Sequence, residues 1–253
     1  MKLKNADWYK NIWTLDIKNQ SWVEETEKQV DFIIETLSLM GNERILDLAC
    51  GFGRHSLAFA RRGFSVVGVD ITKDYIEDAI NSARESSLDV EFIHSDIREL
   101  RFKNEFDVVL NLADGAIGYL ENDEENLKIF DIVVNALKPG GKHFMDICNA
   151  EHAEHFFPNK CWDIGTKALS LSEFDWDKEK RRMLFGGCEI LFGEIAQKPK
   201  PFEADSIRLY SKAELEEILQ QRQMVIIDTF SDYSGKGASY RELQLMVYSI
   251  KNK

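Results

Sequence analysis

Ile45-Leu46-Asp47-Leu48-Ala49-Cys50-Gly51-Phe52-Gly53-Arg54-His55-Ser56 is the stretch that decides the fold. An aliphatic strand carries an acid, Asp47, near its end, then breaks into a turn at Gly51 and Gly53 where a helical pattern begins. Glycine permits a tight turn and a close approach of backbone to ligand. A second strand, Ser65 to Val69, ends at Asp70, seventeen residues past Gly53 (70 − 53 = 17). This is the spacing of a nucleotide-binding βαβ unit, in which an acid about 20 residues beyond the glycines meets a ribose hydroxyl pair.

The flanking residues select among nucleotides. A dinucleotide fingerprint wants a third glycine where Ser56 stands, with a pyrophosphate on the helix N-terminus. Asp47, four residues before the first glycine, disfavours a pyrophosphate and attracts an ammonium group. S-adenosylmethionine has the ammonium, a ribose and no phosphate, so the charge pattern suits it better than NAD.

Further landmarks follow in order. The Val66 to Asp70 strand end is followed by His94-Ser95-Asp96-Ile97, then Phe106-Asp107-Val108-Val109-Leu110-Asn111, then Leu137-Lys138-Pro139-Gly140-Gly141. With the glycine turn, this series resembles a class I S-adenosylmethionine-dependent methyltransferase. Arg54-His55-Ser56, Arg61-Arg62-Gly63-Phe64, Arg208-Leu209-Tyr210-Ser211 and Ser231-Asp232-Tyr233-Ser234-Gly235 are similar to a bacterial, small-molecule-type subgroup of it. The resemblance implies a doubly wound, Rossmann-like α/β fold with a seven-stranded, mostly parallel sheet and an antiparallel last strand. It implies a methionine moiety held by Asp47 and the Asn111 backbone, with Ala49, Gly51 and Gly53 forming the turn. Asp70, followed by Ile71, would take the ribose hydroxyls, and Asp96 with the Ile97 amide the adenine edge. The plainer reading of Asp70 and Asp96 is helix capping.

Length and charge bound the rest. The 253 residues, 44% of them hydrophobic, suffice for one sizeable α/β core, and the chain reads as one domain over 1–253. The formal net charge of −12 disfavours DNA or another phosphate backbone as partner. Four cysteines, Cys50, Cys148, Cys161 and Cys188, lack metal-ligand spacing and disulfide density, so reduced thiols in a cytoplasmic protein are expected. No signal peptide or membrane-spanning stretch is read.

Periodicity predicts strands at 43–49, 64–70, 90–94, 106–111 and 142–148, and helices near 54–62, 73–86 and 123–137. Residues 1–40 form an N-terminal helical arm, with a helix from Ser21, as N-cap, to Leu39 and Gly41 past its end. From 160 to 208 aromatic and β-branched runs separated by charged turns predict a small antiparallel β insertion, a lid or a homodimer surface. Lys198-Pro199-Lys200-Pro201 reads as an extended loop within it. Ser211 caps a helix to about Gln221, with Glu214 completing a capping box. A final hairpin is expected at 223–230 and 242–250.

Methyl transfer from a sulfonium needs an aligned acceptor, exclusion of water and sometimes a proton acceptor. The loops after the fourth and fifth strands offer Asp114, Tyr119, Asn149 and His152. The subgroup carries a Thr-Ser-Phe-Gly-Tyr-like run where this chain has Ala113-Asp114-Gly115-Ala116-Ile117-Gly118-Tyr119, so Asp114 is an added acid; its plainer reading is a turn residue. Asn149 has the plain reading of a strand-end turn. His152 and His155 lack a third ligand, so no metal is expected and they read as surface helix residues. Arg241 suits an anionic substrate or a structural ion pair. Trp8, Tyr9 and Trp13 precede the first helix; a cover over the cofactor, worth ~0.5–2 kcal/mol of cation–π attraction, and an aromatic staple are both open. After the fourth strand the Asn/Asp-Pro-Pro-aromatic form of base-amino methyltransferases is missing, which leaves an oxygen or nitrogen atom of a small molecule as the expected acceptor. A protein or RNA acceptor, or a non-catalytic S-adenosylmethionine-binding role, are the alternatives.

Overall fold

A computed structural model describes residues 2–195 and 203–253. Its centre is a seven-stranded sheet built from β1 (Arg44–Leu48), β2 (Ser65–Asp70), β3 (Val90–His94), β4 (Phe106–Asn111), β5 (Leu137–Cys148), β10 (Met224–Phe230) and β11 (Gln244–Lys251). The order is β10-β11-β5-β4-β1-β2-β3, and β11 alone runs antiparallel to its neighbours. The central strands are buried on both faces, which is why they read as near-continuous apolar runs. Alternate residues divide two cores: Leu46, Leu48, Val67 and Val109 face one, Ile45, Val66, Val108 and Leu110 the other.

Helices α1 (Thr26–Thr36), α2 (Arg54–Arg61), α3 (Lys73–Glu85), α4 (Asp123–Ala136), α5 (Ala150–Phe156) and α6 (Lys212–Gln220) complete the layers. Val30 and Ile33 of α1 join Ala58 and Phe59 of α2 in one core; Phe130 of α4 and Leu215 of α6 lie in the other. Ser211 and Glu214 form the expected capping box.

The start of α1 corrects the sequence reading. Ser21 opens a 3-10 turn and α1 begins at Thr26, whose Oγ1 donates to the Val23 carbonyl. The helix ends before Gly41: Ser38, at φ 48°, takes the left-handed position, and the Leu39 and Ser38 amides bond Ile34 and Glu35 in a Schellman pattern.

The insertion is a separate four-stranded antiparallel sheet, β6 (Asn159–Ile164), β7 (Ala168–Asp177), β8 (Arg182–Leu191) and β9 (Asp205–Arg208), in that order. The loop expected at 198–201 lies outside the described residues. Among those described, no helix is long and apolar enough to cross a membrane.

Candidate active site

At the end of β1 the chain passes through Ala49 (φ 54°), Gly51 (φ 58°) and Gly53 (φ 76°), three left-handed residues in five. The Gly51 amide donates to Asp70 Oδ2 at 2.8 Å and the Thr72 amide to Asp70 Oδ1, also at 2.8 Å. Asp70 therefore ties the glycine turn to its own strand end, and each oxygen keeps a lone pair. Gly53 has a packing reason as well: a Cβ there would lie 2.8 Å from the Phe92 ring and 3.0 Å from Ala79. Ser56, where a dinucleotide site would have glycine, donates to Asp47 Oδ2 at 2.6 Å.

Asp47 is 2% exposed, and burial pushes its carboxyl up to about 6. Burial raises Asp70 as well. Asp96 is held below the usual range: burial would raise it, but hydrogen bonds from the Arg98 guanidinium and amide outweigh that. It caps the 3-10 turn Ile97–Glu99, as its plainer reading anticipated, while Arg98 binds Glu121 and Glu125 too. Ile97 is buried in the core and Ile71 packs against it; the Ile71 carbonyl meets His94 Nε2 at 3.0 Å.

The N-terminal aromatics pack against the segments that follow β3 and β4. Trp8 and Tyr9 are buried; Tyr9 Oη donates to Glu121 at 2.9 Å, and the Arg98 guanidinium reaches the same hydroxyl. Trp8 packs on Tyr119 at 5.3 Å between centroids, and Trp13 on Tyr119 at 6.1 Å. Phe185 of β8 meets Trp8 edge-on, so arm and insertion share one aromatic cluster.

After β4 the backbone is left-handed at Ala113, Asp114, Gly115 and Ala116 (φ 50°, 67°, 49° and 65°). Such strain in non-glycine residues persists only where the surroundings enforce it. Here the Asp114 amide donates to the Asp146 carbonyl at 2.7 Å, and the buried Asn111 side chain to the Gly115 carbonyl at 2.8 Å. Asp114 is the turn residue of its plainer reading, and its carboxylate is engaged as well. It is half-buried, its Oδ2 accepts from Tyr119 Oη at 3.0 Å and its Oδ1 from the Cys148 amide at 3.1 Å. Burial, reinforced by Asp146, lifts it to about 6.

Asp146 is the residue the sequence reading missed. It is buried on β5, accepts from Tyr233 Oη at 2.7 Å and from Gln244, and is raised by burial. Arg54 connects the two halves: its field reaches Tyr233, Asp146 and Asp47, although its own hydrogen bonds go to Thr26 and Gln29.

Three other candidates have partners of their own. Asn149 caps α5 through Glu151 and ties down the Ser239 carbonyl. His152 is half-buried, not a surface residue; it stacks on Phe156, while His155 is exposed. Arg241 is exposed and reaches Tyr240 Oη at 3.4 Å rather than a carboxylate. Among the described residues no group of three potential ligands is placed to hold a metal.

Known proteins resemble this chain in sequence and in fold. A family model described as "Methyltransferase domain" matches residues 45–141. "Putative methyltransferase YqeM" of Bacillus subtilis (strain 168) is 33% identical over 123 residues, 48% of this chain and 49% of that one; the chain spans about half the length of this curated relative. A solved S-adenosylmethionine-dependent methyltransferase from Clostridium acetobutylicum ATCC 824 superposes with TM-score 0.74 at 22% identity, covering 94% of this chain and 97% of that one. The CcbJ methyltransferase from Streptomyces caelestis gives 0.75 at 15%, covering 98% and 96%. These two likenesses are likenesses of fold.

Proposed function

We propose that this chain, whose residues 45–141 match a methyltransferase-domain family model, is a class I S-adenosylmethionine-dependent methyltransferase that transfers a methyl group to an oxygen or nitrogen atom of a small molecule. The observation that carries the reading is an imbalance of charge. Four carboxylates, Asp47 and Asp70, and Asp114 and Asp146, are all raised, chiefly by burial, and Arg54 is a cation whose charge acts on Asp47 and Asp146. A ligand bringing an ammonium and hydroxyl donors relieves the first pair; a pyrophosphate aggravates it. The donor set therefore fits S-adenosylmethionine, which when bound supplies a methyl group on an already activated sulfonium.

Asp70 would accept the ribose hydroxyls on its remaining lone pairs, and Asp47 the ammonium. Asp96 and the Ile97 amide would take the adenine edge, with Asp96 shared with Arg98. Tyr9 and the two tryptophans would cover the site and exclude water. Asp114, half-buried beside Tyr119, would meet the acceptor. An acid lifted towards neutrality is suited to draw a proton from an acceptor at physiological pH, and the surplus of carboxylates favours an amine.

A panel of amines, phenols and carboxylates incubated with the full chain and S-adenosylmethionine, with S-adenosylhomocysteine quantified by mass spectrometry, tests this. Turnover is expected on an amine. Turnover only on a protein or RNA fraction would overturn the small-molecule reading; binding without any turnover would leave a non-catalytic binding protein.

A further inference from the structure

We propose that the outer face of the β6–β9 sheet packs in solution against the same face of a second copy of this chain. The inference follows from the pleat. Successive side chains of a strand point to opposite faces, and directly opposed residues of paired strands share one. One face of this sheet carries Phe174, Trp176, Met183 and Phe185, which join the core.

The registers fix the other face. Ile164 lies opposite Leu169, which lies opposite Ile190; Trp162 lies opposite Leu171, which lies opposite Cys188. Two complete rows across three strands are apolar. Trp162 is 66% exposed, Ile164 57%, and Phe192, just past β8, 54%. The following row opposes Lys160 and Glu173, an ion pair of 3.1 Å, so the patch ends in a rim that neutralises itself.

A single exposed apolar side chain is ordinary, whereas aligned rows around a largely bare tryptophan mark an interaction surface. Taking ~150–250 Å² for a whole aromatic side chain, these residues present roughly 500 Å² per copy, so two copies would bury about 1,000 Å², the threshold of a specific interface.

The chemistry selects a second copy as occupant. With a net charge of −12, the chain would draw a basic protein or a polycation to its acidic surfaces, yet the two apolar rows hold no acid and the Glu173 beside them is already paired with Lys160. The two apolar rows themselves carry no charge and meet their own duplicates without repulsion. Two twisted sheets stack face to face about 10 Å apart, and a two-fold interface asks only that one patch complement itself.

Sedimentation equilibrium of the full chain at micromolar concentration tests the proposal. The wild type is expected at twice the chain mass of 29.2 kDa. Trp162→Arg and Ile164→Glu, both at outward-facing positions, are each expected to sediment as the single chain with the wild-type circular dichroism spectrum. A wild-type chain that stays monomeric, or a dimer that survives both substitutions, overturns it.

Discussion

Tyr119 gives its hydroxyl hydrogen to Asp114 across 3.0 Å, and the same tyrosine ring supports Trp8 and Trp13 of the N-terminal arm. The residue proposed to meet the acceptor is thereby joined to the arm proposed to cover the site. Asp114→Asn keeps an oxygen for Tyr119 but loses the charge and the capacity to take a proton. Methyl transfer is expected to fall by roughly 10²-fold or more, the usual contribution of a positioned base, with S-adenosylmethionine affinity unchanged. Single-turnover rates and a binding titration check the two halves of that statement.

Asp70→Ala removes the hydrogen bonds proposed to the ribose, charge-assisted and worth about 1.5–3 kcal/mol, and is expected to weaken S-adenosylmethionine binding by roughly 10- to 100-fold. Because Asp70 also accepts from the Gly51 and Thr72 amides, part of any loss could come from a loosened turn. Titration calorimetry on Asp70→Asn, which keeps an acceptor for one amide, separates the contributions. An affinity equal to wild type in both variants would remove Asp70 from the ribose site.

Asp47 gives a pH dependence of definite sign. Its carboxyl ionises near 3.8 in an ordinary setting and near 6 in the fold, so the folded state binds more protons between these values. Its contribution to stability therefore falls as pH rises from about 4 to 6 and is level above, by up to about 3 kcal/mol. Other carboxylates, such as Asp96, slope the opposite way, so the variant difference is the informative quantity. Asp47→Asn, which still accepts from Ser56, is expected to gain stability relative to wild type as pH rises through that window, read from urea unfolding at several pH values.

Gly118 is the tightest point of the loop after β4. It sits at φ 86°, and a Cβ there would stand 2.0 Å from the Arg208 carbonyl oxygen. Gly118→Ala forces the loop away from β9 and should cost roughly 3 kcal/mol in denaturant unfolding, combining overpacking with a left-handed alanine.

What the sequence revealed and concealed follows from the range of the forces. The parallel strands were legible because burial on both faces makes them continuous apolar runs, as in Val66-Val67-Gly68-Val69. Asp70 was legible because it ends such a run. The left-handed path through Ala113, Asp114 and Ala116 was not: no local preference puts alanine there, and bonds to Asp146 of β5 and to Asn111 at the end of β4 impose it. Asp146 left a signal that was passed over, a lone acid inside the apolar strand His143-Phe144-Met145-Asp146-Ile147-Cys148. Ser21 had the chemistry of a cap, but a 3-10 turn intervenes and the helix begins five residues later.

On this reading a phosphate-free, cationic nucleoside sits at the tips of β1 and β2. A crystal grown with S-adenosylhomocysteine measures it directly. The account predicts both ribose hydroxyls within hydrogen-bonding distance of Asp70, and the ammonium on the Asp47 side of the Gly51–Gly53 turn. Density for the nucleoside elsewhere, or a ribose that does not touch Asp70, would contradict it.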